Sequence, residues 1–243
     1  NDFEIYKDQL KQRLDPTVTI MQCINSFIKK NQKKIVFADG EDENTLKAAI
    51  AFKNSKLGVP ILVGKESKIK EQIRNIGYNE NFDIEIINSK DEEKRKKYLK
   101  HLFEKLQREQ GLLERDCDRL LRNDRVIWAT SMVACGDADG AVTGNTRRFG
   151  ASLEKIKQVV DVRKGEIMFG LNMVVHKGKT IFIGDTSVHE YPTSEELAEI
   201  AISTARVVRL FGFEPKVAFV SQSTFGQPLT SRSKHIRNAV EIL

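Results

Sequence analysis

Residues 136–150 read Gly-Asp-Ala-Asp-Gly-Ala-Val-Thr-Gly-Asn-Thr-Arg-Arg-Phe-Gly, and no other stretch of the chain combines small residues, hydroxyls and paired arginines in this way. They come directly after a helical run and a short strand. Glycine suits a backbone that must come close to a ligand. The guanidinium fork of arginine donates two parallel hydrogen bonds, which fits phosphate and carboxylate oxygens. Thr143, Gly144, Asn145, Thr146, Arg147 and Arg148 are therefore candidates for an anion or acyl-carrier site at a strand end. The alternative is scaffold: glycines for turns and arginines for surface ion pairs. A Walker loop is excluded because no Gly-Lys-Ser/Thr follows, and the dinucleotide fingerprint Gly-x-Gly-x-x-Gly is absent.

Two further strand ends invite the same question, because ligands of open α/β sheets collect at the carboxyl ends of strands. Asp39-Gly40-Glu41-Asp42 clusters carboxylates that can bind a divalent metal or move protons. The competing reading is a helix N-terminus favoured by the macrodipole. Asp137 and Asp139 lack the rest of a calcium loop. Ser221-Gln222-Ser223-Thr224-Phe225-Gly226 places hydroxyls between an apolar strand and a helix. Ser221, Ser223 and Thr224 are candidates for an oxyanion, with ordinary hydroxyl-capped turns as the alternative. No Gly-x-Ser-x-Gly elbow is present.

The elements that must position these ends alternate. Strands are expected at Lys34–Ala38, Pro60–Gly64 and Phe82–Ile87, with helices after the first two, including Ser67–Ile76. That order argues for a parallel sheet covered on both faces. A long helix over Glu92–Gln110, broken by Gly111, is followed by helices over 112–121 and 126–135, the last capped by Asn123-Asp124, and by another over 152–160. The pattern then changes to a hairpin around His176-Lys177-Gly178-Lys179, which marks a second domain. Thr193 with Glu196 opens a strongly amphipathic helix that stops near Gly212. A strand at Lys216–Val220 and a final helix from Ser231 or Ser233 close the chain. Amphipathic helices are also expected over 3–14 and 18–30. The domains read as a helical lead-in (1–32), a first α/β subdomain (33–164) and a truncated second one (165–243).

Composition narrows the class. The 243 residues are 40% hydrophobic and 30% charged, as in an ordinary globular protein with a sizeable core. No transmembrane run or signal peptide is visible, which argues against a membrane. Cys23, Cys117 and Cys135 are odd in number and widely spaced, which argues against disulfides and zinc and for a reducing cytoplasm. The net charge of +6 is spread along helices among glutamates, and no nucleic-acid motif accompanies it. A start without Met and a stop inside a helical run suggest part of a longer chain.

Three ordered motifs carry a resemblance. Residues 136–144 resemble the Gly-(Glu/Asp)-Ala-Asp-Gly-x-Val-(Ser/Cys)-Gly segment of phosphate acetyltransferases. Residues 217–226 resemble their Val-Ala-x-Leu-Ser-x-Ser-Thr-x-Gly, and 192–201 their Pro-x-x-Glu-Glu-Leu-Ala-x-Ile-Ala. A closer similarity is to the phosphotransacetylase-like C-terminal domain of large bacterial NADP-dependent malic enzymes. It is carried by residues 35–41, 60–64 and 207–215, with Leu14-Asp15-Pro16 resembling the junction after the malic domain.

The resemblance implies an α/β fold of two Rossmann-like subdomains with a cleft between them, the second incomplete, in the manner of isocitrate/isopropylmalate dehydrogenase. It also implies acetyl-CoA or a related acyl-CoA as ligand. In active transferases the serine, arginine and aspartate that act on the substrates lie beyond the last residue here. Of two earlier arginines, one aligns on Gln107, beside Arg108, and the other on Glu154, where a carboxylate repels phosphate. This departure favours the malic-enzyme branch. There the domain is expected to be a regulatory, oligomerising module, at least dimeric, with no catalytic residue and no cofactor of its own. NADP and a divalent metal belong to the preceding malic domain.

Overall fold

The computed structural model describes residues 6, 24–78, 83–88, 91–176, 179–221 and 227–243. They divide into two compact units, one of residues 25–161 and one containing 162–243. Of the expected lead-in helices, residues 24–30 are helical and Tyr6 is in a helical conformation; the rest lie outside the described residues. Among the described residues no helix is long and apolar enough to cross a membrane.

In the first unit, strands β1 (Lys33–Phe37), β2 (Gly58–Val63), β3 (Glu85–Ile87) and β4 (Gly140–Val142) form a parallel sheet in the order β3-β2-β1-β4. Strands of such a sheet are apolar on both faces because helices cover both. Val36, Ala38, Ile61, Val63 and Ile87 face one core, and Phe37 and Leu62 the other. Against the second face pack α1 (Glu43–Asn54), through Leu46, Ala49 and Ile50, and α2 (Glu66–Asn75), through Ile69 and Ile73.

The first face carries α3 (Glu92–Gln110), α4 (Glu114–Asn123), α5 (Arg125–Ala134) and α6 (Phe149–Val159). Their buried stripes meet at Tyr98, Leu102, Leu121, Trp128 and Val159. The Tyr98 and Trp128 rings contact edge to face at 5.1 Å, the favoured arrangement of two ring quadrupoles. Lys105, buried on α3, donates to Asp161 (2.6 Å) and to the Lys157 carbonyl (2.9 Å), tying down the end of α6. Helix α6 begins three residues before the expected Ser152, because Arg148 already supplies the extended geometry of an N-cap. The short strand expected ahead of residue 136 is β4 and lies inside the 136–150 stretch.

In the second unit β5 (Leu171–His176) and β6 (Lys179–Gly184) pair antiparallel, with Met173 opposite Phe182. Helix α7 (Ser194–Leu210) opens with the capping box of Thr193 and Glu196. Phe182 of β6 meets Phe211 and Phe213, just past α7, at 5.5 and 5.7 Å. Helix α8 (Ser231–Ile242) has its own box from Thr230 and Ser233. The strand expected at 216–220 is not formed. A strand exists through its ladder partner, and this segment pairs with neither hairpin strand, leaving Val217 52% and Val220 90% exposed.

The loop after β6 is organised by Asp185. Its carboxylate accepts from the amides of Gly170, Ser187, Val188 and His189 and from His189 Nδ1 at 2.8 Å. Burial pushes the group up, but the His189 and amide bonds outweigh it and bring it down from 3.8 to about 2. A folded-state value below the unfolded one stabilises above the unfolded value, and that contribution is lost as pH falls through the folded one. A shift of this size is worth about 2 kcal/mol. Denaturant melts of Asp185→Asn should therefore show a roughly constant deficit above pH ~5 that narrows between pH ~4 and ~2; a pH-independent deficit would show that the carboxylate charge contributes nothing. A second variant tests the first unit. Tyr98→Phe removes a buried hydroxyl that donates to Asp137 at 2.7 Å. It should cost about 1.5–3 kcal/mol, the range for a bond to a charged group, read as a lowered urea midpoint at unchanged slope.

Candidate functional site

The strand order turns at β1: the chain steps from β1 to β2 to β3 on one side and then returns to place β4 on the other. Open α/β sheets bind ligands beyond the carboxyl ends of the strands at such a reversal. Two of the chemically notable stretches of sequence meet there, residues 39–42 after β1 and 143–148 after β4.

The approach to β4 is held by two carboxylates. Asp137 accepts from Tyr98 Oη and Lys97 Nζ, both at 2.7 Å. Burial raises Asp137, but those two partners prevail and hold it below the usual carboxylate range. Burial, followed by the neighbouring Asp137, pushes the Tyr98 hydroxyl up, so it stays a donor. Asp139 accepts from the Lys34 amide at 2.8 Å and Lys33 Nζ at 3.2 Å, while its own amide donates to the Lys34 carbonyl. Both aspartates are thus engaged in fixing β4 beside β1.

After β1 the chain turns sharply against β2. A side chain at Gly40 would meet the Val63 carbonyl at 2.9 Å, so only glycine fits that approach. Asp42 caps α1 by accepting from the Thr45 amide at 2.9 Å. That amide, against partial burial and with help from the Thr45 hydroxyl and Asn145, holds Asp42 below its ordinary value. Glu41 accepts from the Lys65 amide (2.9 Å) and Arg125 (3.0 Å), with Lys68 at 3.5 Å. Burial raises Glu41, and these partners more than reverse it. The helix-terminus reading of this run holds for Asp42. Among the described residues no group of three or more His, Cys, Asp or Glu is arranged to hold a metal.

After β4, Gly144 turns with φ +103°, a conformation L side chains rarely adopt. The following side chains reach back across the β1 end. Asn145 donates to Asp42 and to Thr45 Oγ1 (3.3 Å), and Thr146 donates to Asp39 at 2.6 Å. Arg147 pairs with Asp124 at 2.7 Å, and the other oxygen of Asp124 caps α5 through the Val126 and Ile127 amides. Thr143 Oγ1 is buried with no hydrogen bond among the described residues. Arg148 is exposed, makes no ion pair among the described residues, and immediately precedes the uncapped N-terminus of α6.

The structure thus brings Thr143, Gly144, Asn145, Thr146, Arg147 and Arg148 together with Asp39 and Asp42. Ser221 belongs to the other unit and is exposed, while Ser223 and Thr224 lie outside the described residues. Sequence reasoning missed Asp124 and Arg125 as partners of this edge. A cap one residue ahead of an arginine was visible, but the contact from Arg125 to Glu41, 84 positions away, was not.

Comparison with known proteins agrees with this architecture. The phosphate acetyl/butaryl transferase family model matches residues 19–243. All of the chain aligns with 32% of an NADP-dependent malic enzyme of Rhizobium meliloti (strain 1021), at 39% identity over 243 residues. It therefore spans about a third of the length of that relative. A phosphate acetyltransferase of Clostridium acetobutylicum is 32% identical over 235 residues, covering 92% of this chain and 68% of its own. A phosphotransacetylase crystal structure from Streptococcus pyogenes superposes with a TM-score of 0.80 at 26% identity, over 92% of this chain and 68% of the other. With the family model spanning nearly its whole length and the parallel sheet shared with solved phosphotransacetylases, the chain belongs to the phosphate acetyl/butaryl transferase family.

Proposed function

We propose that this chain is the phosphotransacetylase-like part of a malic-enzyme type of protein, and that it binds acetyl-CoA or a related acyl-CoA to regulate and oligomerise that protein instead of transferring the acyl group. Oxidative decarboxylation of malate to pyruvate, with NADP and a divalent metal, would fall to the rest of the parent protein. The observation that carries the reading is how the polar groups after β4 are used. Asn145, Thr146 and Arg147 are bonded to Asp42, Asp39 and Asp124, which leaves Arg148 as the unpaired cation of that loop among the described residues.

One cation beside an uncapped helix N-terminus can hold an anionic group. Transfer to phosphate asks for more. Two negative reactants must be brought together, and the charge that develops on the carbonyl needs preorganised donors. Glu154, exposed on α6, adds the wrong sign of charge. The alignment with malic enzymes over the full length of the chain supports the same branch. The phosphate acetyltransferase relatives keep the active-transferase reading as the alternative.

Calorimetric titration of the full-length protein with acetyl-CoA should give saturable binding that Arg148→Ala weakens about tenfold, the effect of one charge-assisted contact of ~1.4 kcal/mol. A phosphate-dependent assay of thiol release from acetyl-CoA should show no turnover. Robust turnover would establish the transferase reading. Absent binding, or binding indifferent to Arg148→Ala, would remove the ligand assignment to this loop.

A further inference from the structure

We propose that the carboxyl ends of β2 and β3 form a second ligand site, separate from the loop after β4, that takes the phosphate group of a small phosphorylated molecule. A cavity of about 360 Å³ opens there, lined by Glu41, Gly64, Lys65, Asn88, Arg122 and Arg125 among others. That volume is at the small end for ligand pockets, which run from roughly 300 to 1,000 Å³.

The charge in the cavity is positive. Three cationic side chains line it against one carboxylate, and that carboxylate is already committed. Glu41 gives one oxygen to the Lys65 amide and the other to Arg125, with Lys68 close by. Arg122 is anchored through Nε to Asp118 at 2.6 Å, and Arg125 spends one fork nitrogen on Glu41. Lys65 is exposed and makes no ion pair among the described residues. Asp124, next to Arg125, is turned to the amides of α5 and to Arg147.

The backbone adds to this. Lys65 is the N-cap of α2, a helix of ten residues, and its side chain makes no capping bond to the first amides. Those amides and the positive end of the helix lie directly after the lining residue Lys65. The donor set therefore combines the guanidinium groups of Arg122 and Arg125, the Lys65 ammonium and a helix N-terminus. A tetrahedral phosphate presents acceptor oxygens in several directions and can engage all of them, whereas a planar carboxylate offers two.

The site stands or falls independently of the acyl-CoA reading, because it uses none of residues 143–148. The test titrates the full-length protein with inorganic phosphate and with pyrophosphate, against chloride at matched ionic strength and against malonate. Saturable binding of the phosphates is expected, at least tenfold tighter than malonate. The double variant Lys65→Ala/Arg122→Ala should weaken it by tenfold or more, whereas Arg148→Ala should leave it within twofold. Lys65→Glu alone should weaken it likewise, and both exposed positions are unlike core sites in tolerating substitution. The proposal is overturned by any of three results: no saturable phosphate binding, equal affinity for malonate, or sensitivity to Arg148→Ala without sensitivity to the Lys65 and Arg122 changes.

Discussion

The first unit depends on keeping a three-residue strand in place. β4 spans only Gly140–Val142, and three ladder positions give it little pairing of its own with β1. Carboxylates supply what the ladder lacks. Ahead of the strand, Asp139 extends the pairing to the Lys34 backbone, and Asp137 fastens the chain to α3 through Tyr98 and Lys97. Beyond it, Thr146 and Asn145 bind the aspartates that follow β1. Charge-assisted bonds are roughly twice as strong as neutral ones, so these five, made to four aspartates, can fix what three strand positions cannot. The clamp holds β4 at the point where the strand order reverses, and with it the shape of the carboxyl edge.

The same clamp explains why residues rich in functional groups do not add up to a catalytic site. A hydroxyl or guanidinium that holds the scaffold is unavailable to a ligand unless the scaffold gives it up. Thr146, Asn145 and Arg147 are all in this position, each spent on an aspartate of the scaffold. Arg148 differs because it stands one residue later, where the chain turns extended before α6.

How much of this was readable beforehand depended on the range of the interaction. The long α3 helix was found from its apolar stripe and its stop at Gly111, and the α7 capping box from a four-residue pattern. These are local signals. Parallel strands β1 and β2 were found because strands buried on both faces are continuously apolar. The segment 216–220 has the same local signal but no ladder, and only the pairing partner decides that question. Asp39 and Asp42 were readable as an N-terminal acidic run, while their bonds to residues more than 100 positions away were not. Residue type showed which groups are able to act, and topology alone showed which were already occupied.

Charge illustrates the same point. The net +6 is the small balance of 40 basic and 34 acidic residues spread over the whole chain, some of them in exposed pairs such as Lys47–Glu43 and Lys70–Glu66 on single helices. Such pairs contribute little to stability and create little field, because water screens both partners. The carboxyl edge is different in kind. There Glu41 and Asp124, each only 13% exposed, neutralise Arg125 and Arg147 from the scaffold side. Lys65 and Arg148 remain without such a carboxylate among the described residues, each at the uncapped start of a helix. A cation aligned with a helix dipole acts in one direction, so two such places on one sheet edge favour anions far more than net charge alone would.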